Sequence, residues 1–448
     1  MAQFANPINH LIVLCMENRS FDHFLGSLSI EAPPRTDIDG LRSLPYTVPN
    51  PAGGAAIAGW RMDPPGHRID PNIPDTPHGW DDAHADWHNG TNDGFVQTFA
   101  NAHPGITDVR IPMGYYTRDT LSALYTLADN FVVCDRWHCS LLSSTWPNRK
   151  FLHSGRIDDD RDTQIVPGIN GFQTAPIYDV IATQRTPEAL TWRCYFSDIP
   201  FLGFWYDFAF RNLRNFETID AFVRDCLSQT LPTISVIDPP FSLADDHPPH
   251  DPLVGEKFIA LVVDALTNSP SWHDSALLLL YDENGGFYDH VIPPPALEAS
   301  PPDATLGFRV PALIISPYAK KRYASHVIYD HTSFIASIAA RWTIDFDASI
   351  YGGRWKTAQP IWNDAFDFSA APREGGIFTG DPITGVTWGT NVRERLQSPL
   401  GAFEAALERI FVLPELKTLD RRADVFDTLG TFEQSVITLK RSAGYARA

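Results

Sequence analysis

The 448-residue sequence is poor in cysteine, in basic residues and in long apolar runs, and each shortage excludes a class of protein. Five cysteines without a Cys-x-x-Cys pair exclude a dense disulfide framework, although they allow one or two bridges. Lysine and arginine number 35 against 54 aspartates and glutamates, so the formal net charge is −19. We therefore expect no nucleic-acid partner on a broad basic face and no stable association with an anionic membrane.

Targeting segments and several common catalytic motifs are also missing. No apolar stretch approaches the length of a membrane helix, and no signal peptide is seen before the first strand-like run. These two observations predict a soluble protein. We expect it to be cytoplasmic unless the chain is a trimmed exported form. The sequence has no G-x-S-x-G, H-E-x-x-H, G-x-x-x-x-G-K-[ST] or G-x-G-x-x-G. Serine esterases, zincins, P-loop proteins and dinucleotide-binding enzymes therefore lack their local signatures here.

Two apolar runs, residues 11–15 and 276–281, are followed at once by oxygen-bearing side chains. Such runs are typical of buried strands in a parallel sheet, where ligands bind outside the carboxyl ends of the strands. Carboxylate and amide oxygens suit a hard cation, although an N-capped helix start and a glycine turn would explain the same residues. The four side chains are Glu17, Asn18, Asp282 and Glu283.

Strand-like and helix-like segments alternate through residues 10–342, which predicts an α/β fold with a mostly parallel central sheet sandwiched by helices. Residues 309–317 are predicted to form one further parallel strand. Residues 31–75 are rich in proline and glycine and predict a long loop excursion from the domain. We predict a single domain over residues 1–448, with a peripheral segment from about residue 370.

Hydroxyl groups cluster before a helix-like segment at Ser143, Ser144 and Thr145, with Pro147 in the first-turn position that favours proline. Such a hydroxyl is either a helix cap or a nucleophile, because a helix N-terminus stabilises both an alkoxide and an arriving phosphate.

Histidines cluster in residues 76–95, which contain His78, His84 and His88 together with Asp93. On a helix, His84 and His88 would share one face and could bind zinc. A further histidine, His247, lies between acids and prolines in a segment that predicts a rigid turn.

Four stretches together resemble one known family. They are residues 16–26 (MENRSFDHFLG), 143–155 (SSTWPNRKFLHSG), 245–259 (DDHPPHDPLVGEKFI) and 277–295 (LLLLYDENGGFYDHVIPPP). In order and spacing they resemble the bacterial phosphoesterase family that includes the non-haemolytic phospholipases C and a related acid phosphatase. The resemblance runs from about residue 8 to about residue 370. It implies an alkaline-phosphatase-like fold and hydrolysis of phosphoric esters.

The resemblance also implies roles for individual residues. It makes Thr145 the nucleophile, with Ser144 as the alternative, and it leaves His84 and His88 as surface or structural residues. The implied catalytic residues are Thr145, His247, His78 and His331. The implied substrate-binding residues are Asn148, Arg149, Asp93 and His290. The implied ligands of a divalent metal, which could be calcium, magnesium or zinc, are Glu17, Asn18, Thr145, Asp282 and Glu283.

We therefore predict a metal-dependent, phospholipase C-like phosphoric ester hydrolase that forms a covalent phosphothreonine and takes a phosphate ester or phospholipid as its substrate. One alternative is an acid phosphatase that acts on monoesters, because the two activities would share the nucleophile and the metal. Another is a non-catalytic protein that binds phosphate or lipid on the same fold. The sequence predicts no oligomeric state.

Overall fold

A computed structural model describes residues 6–42, 46–64, 73–158, 161–163, 171–184, 189–296 and 305–378. An eight-stranded sheet forms the centre of this part of the chain. Its strands are β1 (His10–Met16), β2 (Val132–Cys134), β3 (Trp192–Phe196), β4 (Phe216–Thr218), β5 (Ile234–Ile237), β6 (Ser275–Tyr281), β7 (Ala312–Ile315) and β8 (Tyr323–Ser325). Across the sheet the order is β8-β2-β7-β6-β1-β5-β3-β4.

The sheet is mostly parallel, as the sequence predicts, with one exception. β1 runs parallel to both of its neighbours, β5 and β6. β7 runs antiparallel to β6 and to β2, so the prediction of a further parallel strand over residues 309–317 is wrong. A parallel strand needs a crossover connection, usually a helix, and the described residues between β6 and β7 contain no helix.

Helices cover the sheet in two groups. Within the described residues, the helix Pro252–Thr267 contacts both Ser122–Asn130 and Ile219–Ser228, and Thr145–Ser154 contacts Thr332–Trp342. The helices are α1 (Phe21–Phe24), α2 (Trp80–Trp87), α3 (Phe95–Ala102), α4 (Ser122–Asn130), α5 (Thr145–Ser154), α6 (Tyr178–Thr183), α7 (Tyr206–Arg211), α8 (Ile219–Ser228), α9 (Pro252–Thr267), α10 (Thr332–Trp342) and α11 (Ala348–Tyr351). None of these described helices is both long enough and apolar enough to cross a membrane.

The centre of the core is formed by β1 and β6, which are buried along nearly their whole length. All seven residues of β6 are buried, and its four consecutive leucines have no exposed surface. Each buried leucine contributes about 1.5–3 kcal/mol relative to an exposed one. The two strands that carry the predicted ligands are therefore among the most firmly held elements of the sheet.

The predicted excursion over residues 31–75 contains only short strands in its described part. Thr47–Val48 pairs with Ile57–Ala58, and Trp60–Arg61 pairs with Gly114–Tyr115. Of the predicted peripheral segment from about residue 370, residues 379–448 lie outside the described residues. The single-domain boundary therefore stays a prediction.

Candidate active site

The two strand ends that carry carboxylates lie side by side. β1 and β6 are parallel neighbours, with Met16 opposite Tyr281. The Asp282 amide donates a hydrogen bond to the Met16 carbonyl at 3.1 Å, so the residues after both strands emerge at the same edge of the sheet. Of the five predicted metal ligands, the four with carboxylate or amide oxygens are at most 2% exposed; they are Glu17, Asn18, Asp282 and Glu283.

The backbone fixes the two ligand loops against each other. Asn18 is in the left-handed region with a φ of 61°, and its backbone amide donates a hydrogen bond to Asp282 Oδ1 at 3.0 Å. The same oxygen accepts from the Glu283 amide at 2.8 Å. A Cβ on Gly285, whose φ is 62°, would lie 2.1 Å from the Asn18 carbonyl oxygen. Glycine is therefore required where the loops meet.

Two oxygens of this group, Asn18 Oδ1 and Glu283 Oε1, have no hydrogen-bond partner among the described residues. The side-chain nitrogen of Asn18, Nδ2, lies 3.1 Å from His78 Nε2. Burial raises the pKa of Glu283 well above its ordinary value, and the charge of His78 offsets only part of this rise. Because unpartnered buried polar atoms and crowded carboxylates are both costly, the group fits a site that a cation completes.

Arg149 lies behind the carboxylates. Its side chain has no exposed surface, and its Nε is 3.1 Å from Asp282 Oδ2. Its terminal nitrogens lie 3.4 Å from Asp238 and 3.6 Å from Glu17. Burial lowers the pKa of Arg149, but the surrounding negative charges outweigh it and leave the pKa above its ordinary value. Arg149 thus holds the acids and the backbone carbonyls of Cys15 and Met16, and its predicted contact with substrate stays a prediction.

The hydroxyls at the start of α5 are in different environments. Ser144 Oγ donates to Asp162 Oδ1 at 2.5 Å and accepts from the Thr163 amide at 2.7 Å. The Thr145 hydroxyl makes no hydrogen bond to a described residue, and Thr145 is 9% exposed. Among the described residues, a hydrogen-bond partner is found for the Ser144 hydroxyl and none for the Thr145 hydroxyl.

Asn148 fixes the turn before α5. Its side-chain oxygen accepts from the Leu141 amide at 2.9 Å, and its nitrogen donates to the carbonyls of Leu141, Ser143 and Ser144 at 2.9–3.2 Å. This polar side chain is completely buried and its donors and acceptor are all used. Asn148 therefore fixes the turn that positions the hydroxyls, and its predicted role in binding substrate stays a prediction.

His78 and His247 lie next to the oxygen ligands. His78 Nε2 is 3.9 Å from Glu283 Oε1, and the two imidazole rings meet edge to face with centroids 5.5 Å apart. Burial lowers the pKa of His78, but Glu283 and then Asp75 outweigh it and raise the pKa to about 9. A cavity of about 440 Å³ opens beside them and is lined by residues that include His78 and Ser144.

His331 is a positioning residue in this structure. The Trp137 indole donates to its Nδ1 at 3.2 Å, so Nε2 carries the proton and donates to the Asp282 carbonyl at 2.6 Å. Burial lowers the pKa of His331, which favours the neutral ring. His331 is fully buried and both of its nitrogens are engaged, so it holds the Asp282 loop in this structure, and its predicted catalytic role stays a prediction.

His290 belongs to a separate ion network. Its two ring nitrogens lie 2.6 Å from Asp22 and 3.1 Å from Asp39, and Arg309 bonds to Asp22 and Asp289. Burial lowers the pKa of His290, but Asp22 and then Asp39 outweigh it and raise the pKa to about 10. Since Asp22 follows one ligand loop and His290 the other, the network ties the two loops together. His290 was predicted to bind substrate, and that role stays a prediction beside this ion network.

Asp93 lies in a partly exposed turn, paired with His88 Nδ1 at 2.6 Å and with Thr91. No contact among the described residues joins it to the oxygen ligands. His84 donates from Nδ1 to the Trp80 carbonyl at 2.8 Å. His88 follows the end of α2 in a left-handed conformation, so the two histidines do not form the helical zinc pair that their spacing allowed.

Three buried residues of the site were missed by the sequence interpretation: Asp238, Trp137 and Arg309. Asp238 had a weak signal, since it ends a strand-like run. Trp137 and Arg309 had none, because their partners are 194 and 287 residues away in the chain.

Comparisons with known proteins identify the family of the chain. The model of the phosphoesterase family matches residues 8–345, and the chain belongs to this family. Phospholipase C B of Mycobacterium tuberculosis is 31% identical over 397 residues, which cover 75% of this chain and 74% of that protein. Non-hemolytic phospholipase C of Pseudomonas aeruginosa is 30% identical, and the match covers 75% of this chain and 54% of that protein. Non-specific phospholipase C1 of Arabidopsis thaliana is 31% identical, and the match covers 71% of this chain and 62% of that protein.

Family membership makes the chain a hydrolase of phosphoric esters, as predicted. The alternative of a non-catalytic binding protein is set aside. Among solved structures, a protein of the alkaline phosphatase superfamily from Vibrio parahaemolyticus aligns at 13% identity with a TM-score of 0.33, covering 53% of this chain and 64% of that one. A TM-score this low supports no conclusion about fold or function.

Proposed function

We propose that this hydrolase is a phospholipase C-like, cation-dependent enzyme that acts through a covalent phosphothreonine at Thr145. The observation that carries the proposal is the pair of buried oxygens without partners, Asn18 Oδ1 and Glu283 Oε1, beside further carboxylates. Leaving such a group unsatisfied costs about 1–3 kcal/mol for each atom. Two of them at the ligand-binding edge of the sheet support a bound cation.

The cation would be held by Glu17, Asn18, Asp282 and Glu283, with the Thr145 hydroxyl as a further ligand. An all-oxygen donor set favours calcium or magnesium over zinc. When bound, such a cation supplies charge stabilisation at the phosphoryl oxygens and lowers the pKa of a ligating hydroxyl. Arg149 compensates part of the charge of Glu17 and Asp282 from the buried side.

The chemistry of the chain's own residues proceeds in two steps. The Thr145 hydroxyl gives up its proton to solvent as its Oγ1 attacks phosphorus, so that a new O–P bond forms and the bond to the leaving alkoxide breaks. His247 or His78 supplies the proton that the alkoxide takes up. Water then attacks the phosphothreonine, and the released threonine oxygen recovers a proton. The N-terminus of the ten-residue helix α5 favours the negative charge that develops at Thr145 in both steps.

The substrate class follows from the relatives, which are named phospholipases C and are therefore enzymes of phosphate diesters. The cavity of about 440 Å³ beside Ser144 and His78 leaves room for a second ester group. Acid phosphatase action on monoesters is the second candidate. Parallel rates on p-nitrophenyl phosphate and p-nitrophenyl phosphorylcholine distinguish the two, and we expect the diester to be the better substrate.

The nucleophile is tested by trapping the intermediate. Enzyme quenched in acid during turnover should carry phosphate or the phosphoryl head group on Thr145, as read by mass spectrometry of the peptide around residues 144–149. Thr145→Ala should lose about 10³-fold or more in rate and show no adduct. Ser144→Ala is the matched control and should keep the adduct. An adduct on Ser144, or full activity in Thr145→Ala, would contradict the assignment.

A further inference from the structure

A second group of metal-ligating side chains lines the edge of the candidate site. One carboxylate oxygen of Asp75 and one ring nitrogen each of His78 and His247 lie within 4.8 Å of one another. Asp75 and His78 also line the cavity of about 440 Å³, and the Asp75 side chain is 48% exposed. An ion from solvent can therefore reach this group without passing the buried oxygen ligands.

The separations within the group fit a metal better than they fit hydrogen bonds. Asp75 lies 3.9 Å from His78 Nδ1 and 3.9 Å from His247 Nε2, and both distances are too long for a hydrogen bond. Around tetrahedral zinc, with bonds of about 2.0–2.2 Å, neighbouring ligand atoms lie about 3.3–3.5 Å apart. The 3.9 Å distances run from Asp75 Oδ1 to His78 and from Asp75 Oδ2 to His247, and closing each of these two by about half an ångström would bring it into that range.

The hydrogen bonds behind His247 prepare it as a ligand. Its Nδ1 lies 2.5 Å from the Pro248 carbonyl oxygen, so Nδ1 carries the hydrogen and the neutral ring has its lone pair on Nε2, the atom that faces Asp75. Metal-binding histidines have this arrangement in most proteins. His78 is less prepared, because the Nδ1 nearest to Asp75 donates to the Thr76 carbonyl at 2.6 Å. Metal binding there would release that proton to solvent.

We propose that Asp75, His78 and His247 form a second, weaker site for a transition-metal ion of the zinc class, and that the ion inhibits hydrolysis. Two imidazoles and one carboxylate favour zinc, whereas the neighbouring all-oxygen group favours calcium or magnesium. The separations of 3.9 Å between Asp75 and the two histidines must close before zinc is bound, so the site is weaker than a preformed zinc centre. Inhibition rests on the proposed function, in which the same imidazoles supply the proton to the leaving group.

Binding is tested without reference to activity. Zinc sulfate is titrated by equilibrium dialysis into the full chain with calcium or magnesium in excess, which keeps the oxygen ligands occupied. The wild-type chain should take up about one zinc ion, and Asp75→Asn should bind it about tenfold or more weakly. Asp82→Asn is the matched control, because Asp82 lines the same cavity without belonging to the group, and it should bind like the wild type. No zinc uptake by the wild type, or equal affinity in Asp75→Asn, would overturn the site.

Inhibition is tested on the same three proteins with p-nitrophenyl phosphorylcholine. Asp75 lines the cavity and raises the pKa of His78, so the inhibition of each protein is expressed relative to its own rate without zinc. The half-inhibiting zinc concentration of Asp75→Asn should rise about tenfold or more, in parallel with the weaker binding. Equal inhibition of wild type and Asp75→Asn would place the inhibitory ion elsewhere and refute the inference. If no protein hydrolyses the ester, the proposed function fails, while the dialysis still decides the site.

Discussion

Replacing Arg149 by methionine tests whether this residue holds the carboxylates or contacts the phosphate. Methionine keeps an unbranched side chain but removes the positive charge that contacts Asp282, Asp238 and Glu17. Removing one partner of a buried ion pair costs about 3–5 kcal/mol. The lost hydrogen bond to the Cys15 carbonyl at 2.9 Å adds about 1 kcal/mol. We expect Arg149→Met to lose about 4–6 kcal/mol in the free energy of unfolding.

The assay is urea unfolding of both proteins with and without calcium or magnesium. The loss should be largest without the cation, because the carboxylates then face one another uncompensated. A cation at 100 times its Kd stabilises a folded protein by about 2.7 kcal/mol. We expect a larger gain in the variant, because removing the arginine charge strengthens cation binding at the adjacent acids.

Arg193→Met is the control. The Arg193 side chain is 34% exposed and pairs with Asp225, so its removal should cost about 1 kcal/mol or less. The reasoning is refuted if Arg149→Met unfolds at the same urea concentration as the wild type and instead shows a raised KM for the phosphate ester. That result would mean that the guanidinium contacts the substrate.

Three further predictions concern the loops around the oxygen ligands. Gly285→Ala should weaken cation binding, because the new Cβ would meet the Asn18 carbonyl. Gly53 is equally left-handed but has no atom within 4 Å of the position that a Cβ would take, so Gly53→Ala should leave cation binding unchanged. Isothermal titration measures both affinities, and equal effects would rule out the contact. His331→Gln should lower cation affinity about 10–100-fold and keep both limbs of the pH–rate profile, so the loss of a limb would show that His331 transfers a proton. His290 has a pKa raised to about 10, so its stabilisation is complete below the unfolded pKa of about 6.5 and is lost as the pH rises towards 10. The difference in unfolding free energy between wild type and His290→Asn should therefore shrink over this interval, and a constant difference would argue against the ion pair with Asp22.

The sequence alone determined the class of this protein because the decisive signals are local. A buried strand followed at once by carboxylates occurs at Glu17 and again at Asp282, and the pattern predicted both strands and their shared edge of the sheet. The motifs around these strands also carried the resemblance to the phosphoesterase family, which the comparisons confirmed. The hydroxyl cluster at residues 143–145 was found in the same way, although capping explained it equally well.

Only the tertiary structure decided what the neighbouring polar residues do. Asn148 and Arg149 follow the candidate nucleophile by three and four residues. The polar atoms of both side chains nevertheless bond within buried networks. His331 lies in a motif-like segment, but Trp137 and the Asp282 carbonyl occupy both of its nitrogens. A motif records which residue types are near each other in the chain, and it cannot show which of them are enclosed by partners.

The direction of β7 and the grouping of the histidines also required the folded chain. β7 has the apolar composition of a parallel strand, but its direction depends on the connection that precedes it and not on its own residues. His78 and His247 are 169 positions apart, and their rings meet because the segments that carry them converge beside the oxygen ligands. A short stretch of sequence is enough to identify a local group of chemically active residues. Contacts between residues far apart in the chain depend on the packing energy of the whole fold, so no single stretch can predict them.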